Sequence, residues 1–128
     1  MLRRIRWLRI VGAAILVEVV LLAIAIPLNK SADGRAVLLA IVIPLCVAGT
    51  FIGGWWAARG ASRLFLIHGL LVGALAALIY GALTWKVSLP AAYIVANSLK
   101  LAGGAMGGLM AQLLLRYRQR APVRHSHK

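Results

Sequence analysis

Acidic side chains are almost missing from this chain. Glu18 and Asp33 are the only two, set against fifteen lysines and arginines in 128 residues, for a net charge of +13. Most acid–base chemistry is thereby excluded. There is no carboxylate pair, no Ser/His/Asp set, no His-rich metal cluster and no phosphate-cradling loop. The sequence therefore offers no catalytic residue, metal site or cofactor, and it reads as a non-enzyme. Cysteine is nearly absent too. Cys46 stands alone, so no internal disulfide can form, and its mid-helix place suits a small apolar filler. Charge of either sign is scarce: 13% of residues are charged and 62% are hydrophobic, which a soluble domain of this size would not show.

Long uncharged runs fill the chain instead. They are Ile10–Leu28 (apart from Glu18), Ala36–Ala58, Leu64–Trp85 and Ala91–Leu115 (apart from Lys100), each of at least 19 residues. A helix of about 20 residues rises about 30 Å, the thickness of a bilayer's hydrocarbon. The expected architecture is all-α: a bundle of four transmembrane helices over 10–28, 36–58, 64–85 and 91–115, with a basic tail over 116–128. The first helix starts at about Trp7 or Ile10 and is read as a retained signal anchor, because its apolar run is too long for a cleaved signal peptide. Pro27 ends it, and Pro44 is expected to bend the second helix by freeing the Ala40 carbonyl. The loop Asn29–Arg35 reads as turn. In the segment KVSLP, Ser88 is the expected N-cap and Pro90 a first-turn residue of the fourth helix.

The basic residues are not spread evenly. Arg3, Arg4, Arg6, Arg9, Arg59, Arg63, Arg116, Arg118, Arg120, Arg124 and Lys128 fall on one side of a four-span topology. Lys30, Arg35 and Lys86 fall on the other. The positive-inside rule places both termini in the cytoplasm. Arg3, Arg4, Arg6, Arg9, Arg59, Arg63, Arg116 and Arg118 fix topology and meet anionic headgroups of the bilayer. Nucleic acid is not an expected partner, since no basic module interleaved with aromatics is present. Trp7, Trp55, Trp56 and Tyr117 mark the inner interface, and Tyr80, Trp85 and Tyr93 the outer one.

Small residues recur every four positions, hence on one helix face. The stripes are Gly49/Gly53 and Gly54/Ala58, then Gly69/Gly73/Ala77/Gly81, then Gly103/Gly107 and Gly104/Gly108. Such stripes let backbones approach in lipid, where the hydrophobic drive between helices is small. They serve packing within one bundle, or a homo-oligomer or larger membrane complex. Residues 45–58 (LCVAGTFIGGWWAA) and 99–112 (LKLAGGAMGGLMAQ) share L-x-x-A-G-x-x-x-G-G-x-x-A without a gap. A tandem duplication of a helical hairpin, or chance matching of Gly/Ala-rich helices, would give this. If it is a repeat, Lys100 lies at the depth of Cys46.

Two charges sit inside apolar runs, Glu18 near the midplane of the first helix and Lys100 at a similar depth in the fourth. Burying an isolated charge in hydrocarbon costs several kcal/mol, so each needs a reason. Three readings are open: a structural ion pair between the two helices; a titrating Glu18 on a proton or substrate path, with Lys100 snorkelling outward; or a charge paired with a partner protein. Asn97, one turn from Lys100, completes the expected polar site, with Ser98 beside it. His68 could ligate a haem, but a lone histidine hydrogen-bonded near the interface is the simpler account. His125 and His127 make a weak metal site at best.

The segment FIGGWWAARGASRLFLIHGLLVGALAALIY, with NSLKLAGGAMGG after it, resembles a broad group of uncharacterised small bacterial membrane proteins. Those have four helices, a Gly-Gly-x-x-Ala-Ala-Arg close to the second, a His-Gly-x-x-x-Gly opening the third, and a Gly-rich fourth. The resemblance covers most of residues 45–112 and implies the fold and a bacterial inner membrane, but no activity. GAAILVEVV is similar to the first helix of the small multidrug resistance exporters, and SLPAAYIVANSLKLAG is faintly similar to their fourth. That likeness implies proton-coupled export of lipophilic cations, with Glu18 as the exchanging carboxylate. The reading put first is a non-enzymatic packing, accessory or assembly protein with a Glu18/Lys100 polar patch, and export is the alternative.

Overall fold

The computed structural model describes residues 6–61 and 63–120. Arg3, Arg4, Arg124, His125, His127 and Lys128, each given a role above, lie outside the described residues. Four helices follow in order: α1 (Trp7–Leu28), α2 (Ala32–Ala58), α3 (Phe65–Thr84) and α4 (Ala91–Arg120). All four are long and apolar enough to cross a membrane, and the molecule is a multi-pass membrane protein.

Two boundaries differ by more than a residue from those read in the sequence, and one cap differs. Helix α2 starts at Ala32, inside the stretch taken as turn. Ser31 caps it by accepting a 2.9 Å hydrogen bond from the Gly34 N–H, and Asp33 lies in the first turn against the positive end of the dipole. Helix α4 begins at Ala91, and the Pro90 carbonyl accepts from Tyr93 N–H. Ser88 is therefore not the cap. A helix capped at Ser88 would need helical Leu89, and a residue before proline is pushed out of the α region. Helix α4 also runs to Arg120, so Arg116–Arg120 belong to the helix rather than to a tail. Hydropathy ends at the membrane surface, whereas backbone hydrogen bonding does not, and Arg118 and Arg120 suit the negative end of the dipole.

The glycine stripes face inward. On α4, Gly103 lies on Val47 and Thr50 of α2, and Gly107 on Phe51 and Trp55. Gly104 lies on Gly69 of α3, while Gly54 of α2 also meets Gly104. Gly108 lies on Phe65 and Leu66, and Gly73 on the backbone of Lys100 and Leu101. A Cβ at any of these six contacts on α3 and α4 would overlap backbone atoms. Helix α4 thus lies in the groove between α2 and α3, with one glycine stripe for each. Gly53 meets the Val17 side chain of α1, and Gly49 has ordinary contact with Val17 and Leu21. Only the end of the α3 stripe, Gly81, has open space beside it. Contacts advance together along α2 and α4, Gly103 with 47–50 and Gly107 with 51–55, so these helices run parallel with the two similar segments side by side.

Helix α1 packs on α2 and α3 but makes no backbone contact with α4. The two stand on opposite corners of the bundle. The basic end carries Arg6, Arg9, Arg59 and Arg118. There Leu64 adopts a left-handed conformation (φ 61°) just before α3. That conformation costs a branched residue about 1–2 kcal/mol. The Leu64 carbonyl accepts from the His68 backbone N–H at 3.0 Å and from its Nδ1 at 2.8 Å, which offsets the strain.

Candidate functional site

Helix α1 carries Glu18 on its inner face with Ala14, Val17 and Leu21, and α4 carries Lys100 inward with Ala96 and Gly103. The periodicity of both helices aims these charges at the bundle axis. Glu18 is 3% exposed and Lys100 1%. Lys100 Nζ donates to Glu18 Oε1 at 2.5 Å. The first of the three readings of these charges matches the geometry. Lys100 points inward rather than snorkelling, and the two charges meet each other. The pair spans two helices whose backbones do not approach each other.

Further polar groups surround it. Lys100 Nζ lies 4.6 Å from the centre of the Tyr80 ring, so the aromatic face of α3 shares the positive charge. Asn97 Nδ2 donates to the Ala77 carbonyl of α3 at 3.2 Å, which ties α4 to α3. A cavity of about 40 Å³ lies against Glu18, Cys46, Tyr80, Tyr93, Asn97 and Lys100. Glu18 Oε2 and Asn97 Oδ1 are buried there with no hydrogen-bond partner among the described residues. The space suits water-sized groups, and both free atoms are acceptors. Beyond Tyr80 and Tyr93 a wider vestibule of about 400 Å³ leads to the end of the bundle marked by Asn29, Arg35, Thr84 and Ser88.

Ser98 does not join this site. It is exposed, and its hydroxyl donates to the Ile94 carbonyl at 2.9 Å on its own helix. Spacing explains this: Asn97 and Lys100 are three apart and share a face, whereas Ser98 points about 100° away from Asn97. Tyr80 and Cys46 were not picked from the sequence as site residues. The sequence marks Tyr80 as an interface aromatic, and its four-residue spacing from buried Ala76 is the signal that puts it on the packed face. Cys46 matches Lys100 in the similar segments, and the structure places both on one cavity.

His68 forms a second buried polar centre at the basic end and is 0% exposed. Its Nε2 accepts from the Arg6 backbone N–H at 3.3 Å while Nδ1 faces the Leu64 carbonyl. Both ring nitrogens are used, so the imidazole joins the start of α1 to the start of α3. No group of three potential metal ligands occurs among the described residues. Other arginines gather at this end. Arg9 lies beside Gly60 with its guanidinium 5.8 Å from the Trp56 ring, Arg59 lies 5.4 Å from the Trp55 ring, and Arg63 occupies the α2–α3 turn. Arg116 and Arg118 lie on the last turns of α4.

Comparison with protein-family models, with curated proteins and with solved structures finds no match in any of the three.

Proposed function

We propose that this protein is a non-enzymatic packing, accessory or assembly protein of a bacterial inner membrane, with both termini on the cytoplasmic side. Its Glu18–Lys100 pair specifies how α1 is held in the bundle. The observation that carries this reading is the mutual occupation of the two charges at 2.5 Å, deep in the apolar interior. A carboxylate already held by an ammonium is not free to exchange protons for a cationic cargo. The asymmetric charge and the resemblance over residues 45–112 support the membrane and the orientation. The glycine stripes act as the zipper of the α2–α3–α4 core.

A second reading, proton-coupled export through Glu18, rests on a different observation. Glu18 Oε2 has no partner and borders a cavity that adjoins the vestibule at the far end. The cavity, at about 40 Å³, is small beside the roughly 300 Å³ or more of ordinary ligand pockets. The two readings separate in proteoliposomes. Tetraphenylphosphonium is the probe, a pH gradient is the drive, and wild type is compared with Glu18→Gln. Under the packing reading the gradient moves no probe in either protein. Gradient-driven movement that Glu18→Gln abolishes would establish export and overturn the packing reading.

A further inference from the structure

At the basic end a groove of about 370 Å³ is lined by Trp55 and Arg59 of the α2 end and by Ala111, Leu114, Leu115 and Arg118 of α4. We propose that this groove is a discrete site for one anionic phospholipid, with its phosphate between Arg59 and Arg118 and an acyl chain along Leu114 and Leu115. This goes beyond a general attraction of basic residues to headgroups, because it names one saturable position and two residues that make it.

The first argument is the missing counter-charge. Among the described residues the single ion pair is Glu18–Lys100. The chain's other acid, Asp33, lies in the first turn of α2, at the opposite end of that helix from Arg59. Among the described residues neither arginine of the groove has a carboxylate partner, which leaves their charge open to an anion from outside. The second argument is shape. Arg59 rests over the Trp55 ring at 5.4 Å, and Arg118 lines the same groove from the neighbouring helix. Two planar forks on one groove match a phosphate, which accepts bidentate hydrogen bonds. The third argument selects a lipid over soluble phosphate. The groove continues onto Leu114 and Leu115, which are 44% and 39% exposed on a helix that crosses the membrane. An inorganic phosphate would make no use of that surface, whereas an acyl chain covers it. Basic pockets between membrane helices take anionic headgroups in this way.

The test uses the full chain, purified in a neutral detergent, with bound lipid counted by native mass spectrometry. Phosphatidylglycerol is compared with phosphatidylcholine of the same acyl chains. One phosphatidylglycerol is expected to be retained at an about tenfold lower concentration than phosphatidylcholine. Arg59→Gln and Arg118→Gln should each raise the required concentration about tenfold, the loss of one charge-assisted contact. Arg120→Gln removes the same charge from the same end, but two residues from Arg118 it points about 200° away around the helix. It should leave retention unchanged. Equal weakening by Arg120→Gln would mean diffuse electrostatics and would overturn the site. So would equal retention of the two lipids. Displacement by inorganic phosphate at concentrations equal to the lipid would reassign the groove to a soluble anion and overturn the lipid proposal. Circular dichroism checks folding; if Arg59→Gln melts early, Arg118→Gln, beyond the end of α2, carries the test alone.

Discussion

Removing either member of the Glu18–Lys100 pair should cost far more than removing both. The contact is 2.5 Å long, and both residues are at least 97% buried, since Glu18 is 3% exposed and Lys100 1%. Truncating one partner of such a pair leaves the other charge in a medium that cannot solvate it, a loss of about 3–5 kcal/mol. The two single variants should not be equal. With Glu18→Gln, Lys100 keeps the Tyr80 ring at 4.6 Å, worth about 1–2 kcal/mol when desolvated, and the Gln carbonyl can still accept. With Lys100→Met, Glu18 keeps no donor among the described residues. Lys100→Met should therefore be the worse of the two, by about 1 kcal/mol. The double variant carries no buried charge, and a neutral pair of similar volume costs about 2 kcal/mol or less. The assay is reversible unfolding in mixed micelles, read by helical circular dichroism at constant pH for all four proteins. Free energies that add to within about 0.5 kcal/mol would refute the reasoning, because additivity is the mark of independent sites.

Other substitutions probe the frame around the pair. Gly104→Ala should destabilise the bundle by about 1–3 kcal/mol, because its Cβ meets the Gly69 backbone. Gly81→Ala, in open space on the same kind of stripe, should be neutral or stabilising by about 0.5–1 kcal/mol in the same unfolding assay. His68→Leu removes the acceptor of the Arg6 N–H and the partner of the Leu64 carbonyl, at a cost of about 1–3 kcal/mol, with faster hydrogen exchange at the Arg6 amide. Leu64→Gly should recover about 1 kcal/mol of left-handed strain, less whatever the lost side chain contributed, and Leu64→Ala measures that contribution separately. Ser31→Ala should cost about 1 kcal/mol and fray the first turn of α2, seen as raised exchange at the Gly34 amide.

Much of this molecule is legible as one-dimensional pattern. Four apolar runs announce four spans because length and hydropathy are properties of the segment alone. Glu18 and Lys100 stand out because a charge in such a run must be explained, and counting residues from the interfaces puts them at one depth. Counting cannot supply azimuth or neighbours. Depth suggested that the pair presses two adjacent helices together, yet α1 and α4 are not adjacent. The stripes were visible for the same reason, since spacing by four is local. That Gly103 and Gly107 belong to α2 while Gly104 and Gly108 belong mainly to α3 depends on how three helices meet. Leu64 gives no sign of its left-handed backbone, because the residue that usually marks it, glycine, is absent there. The capping of α2 by Ser31 was readable in principle, but the charged residues Asp33 and Arg35 hid the helix inside a hydrophilic stretch.

The diagonal placement of the ion pair fits the uneven packing of the bundle. Helices α2, α3 and α4 meet backbone to backbone through glycine, where close approach gains dispersion along the whole contact. Helix α1 has no such seam. It rests on the core through side chains such as Ile10, Ala13, Val17 and Leu21. In lipid these apolar contacts distinguish weakly between the native position and a shifted one, since the same side chains are equally at home against acyl chains. A carboxylate changes that balance. Sliding α1 by one turn moves Glu18 by about 5.4 Å along the axis. A 2.5 Å hydrogen bond does not survive such a step, and the displaced charge would face either α2 and α3, which offer no cation at that level, or hydrocarbon. The same holds for rotation, because turning α1 about its axis carries the Glu18 carboxylate away from Lys100. A single polar contact thus fixes both the height and the rotation of the one helix that the glycine contacts between α2, α3 and α4 leave free.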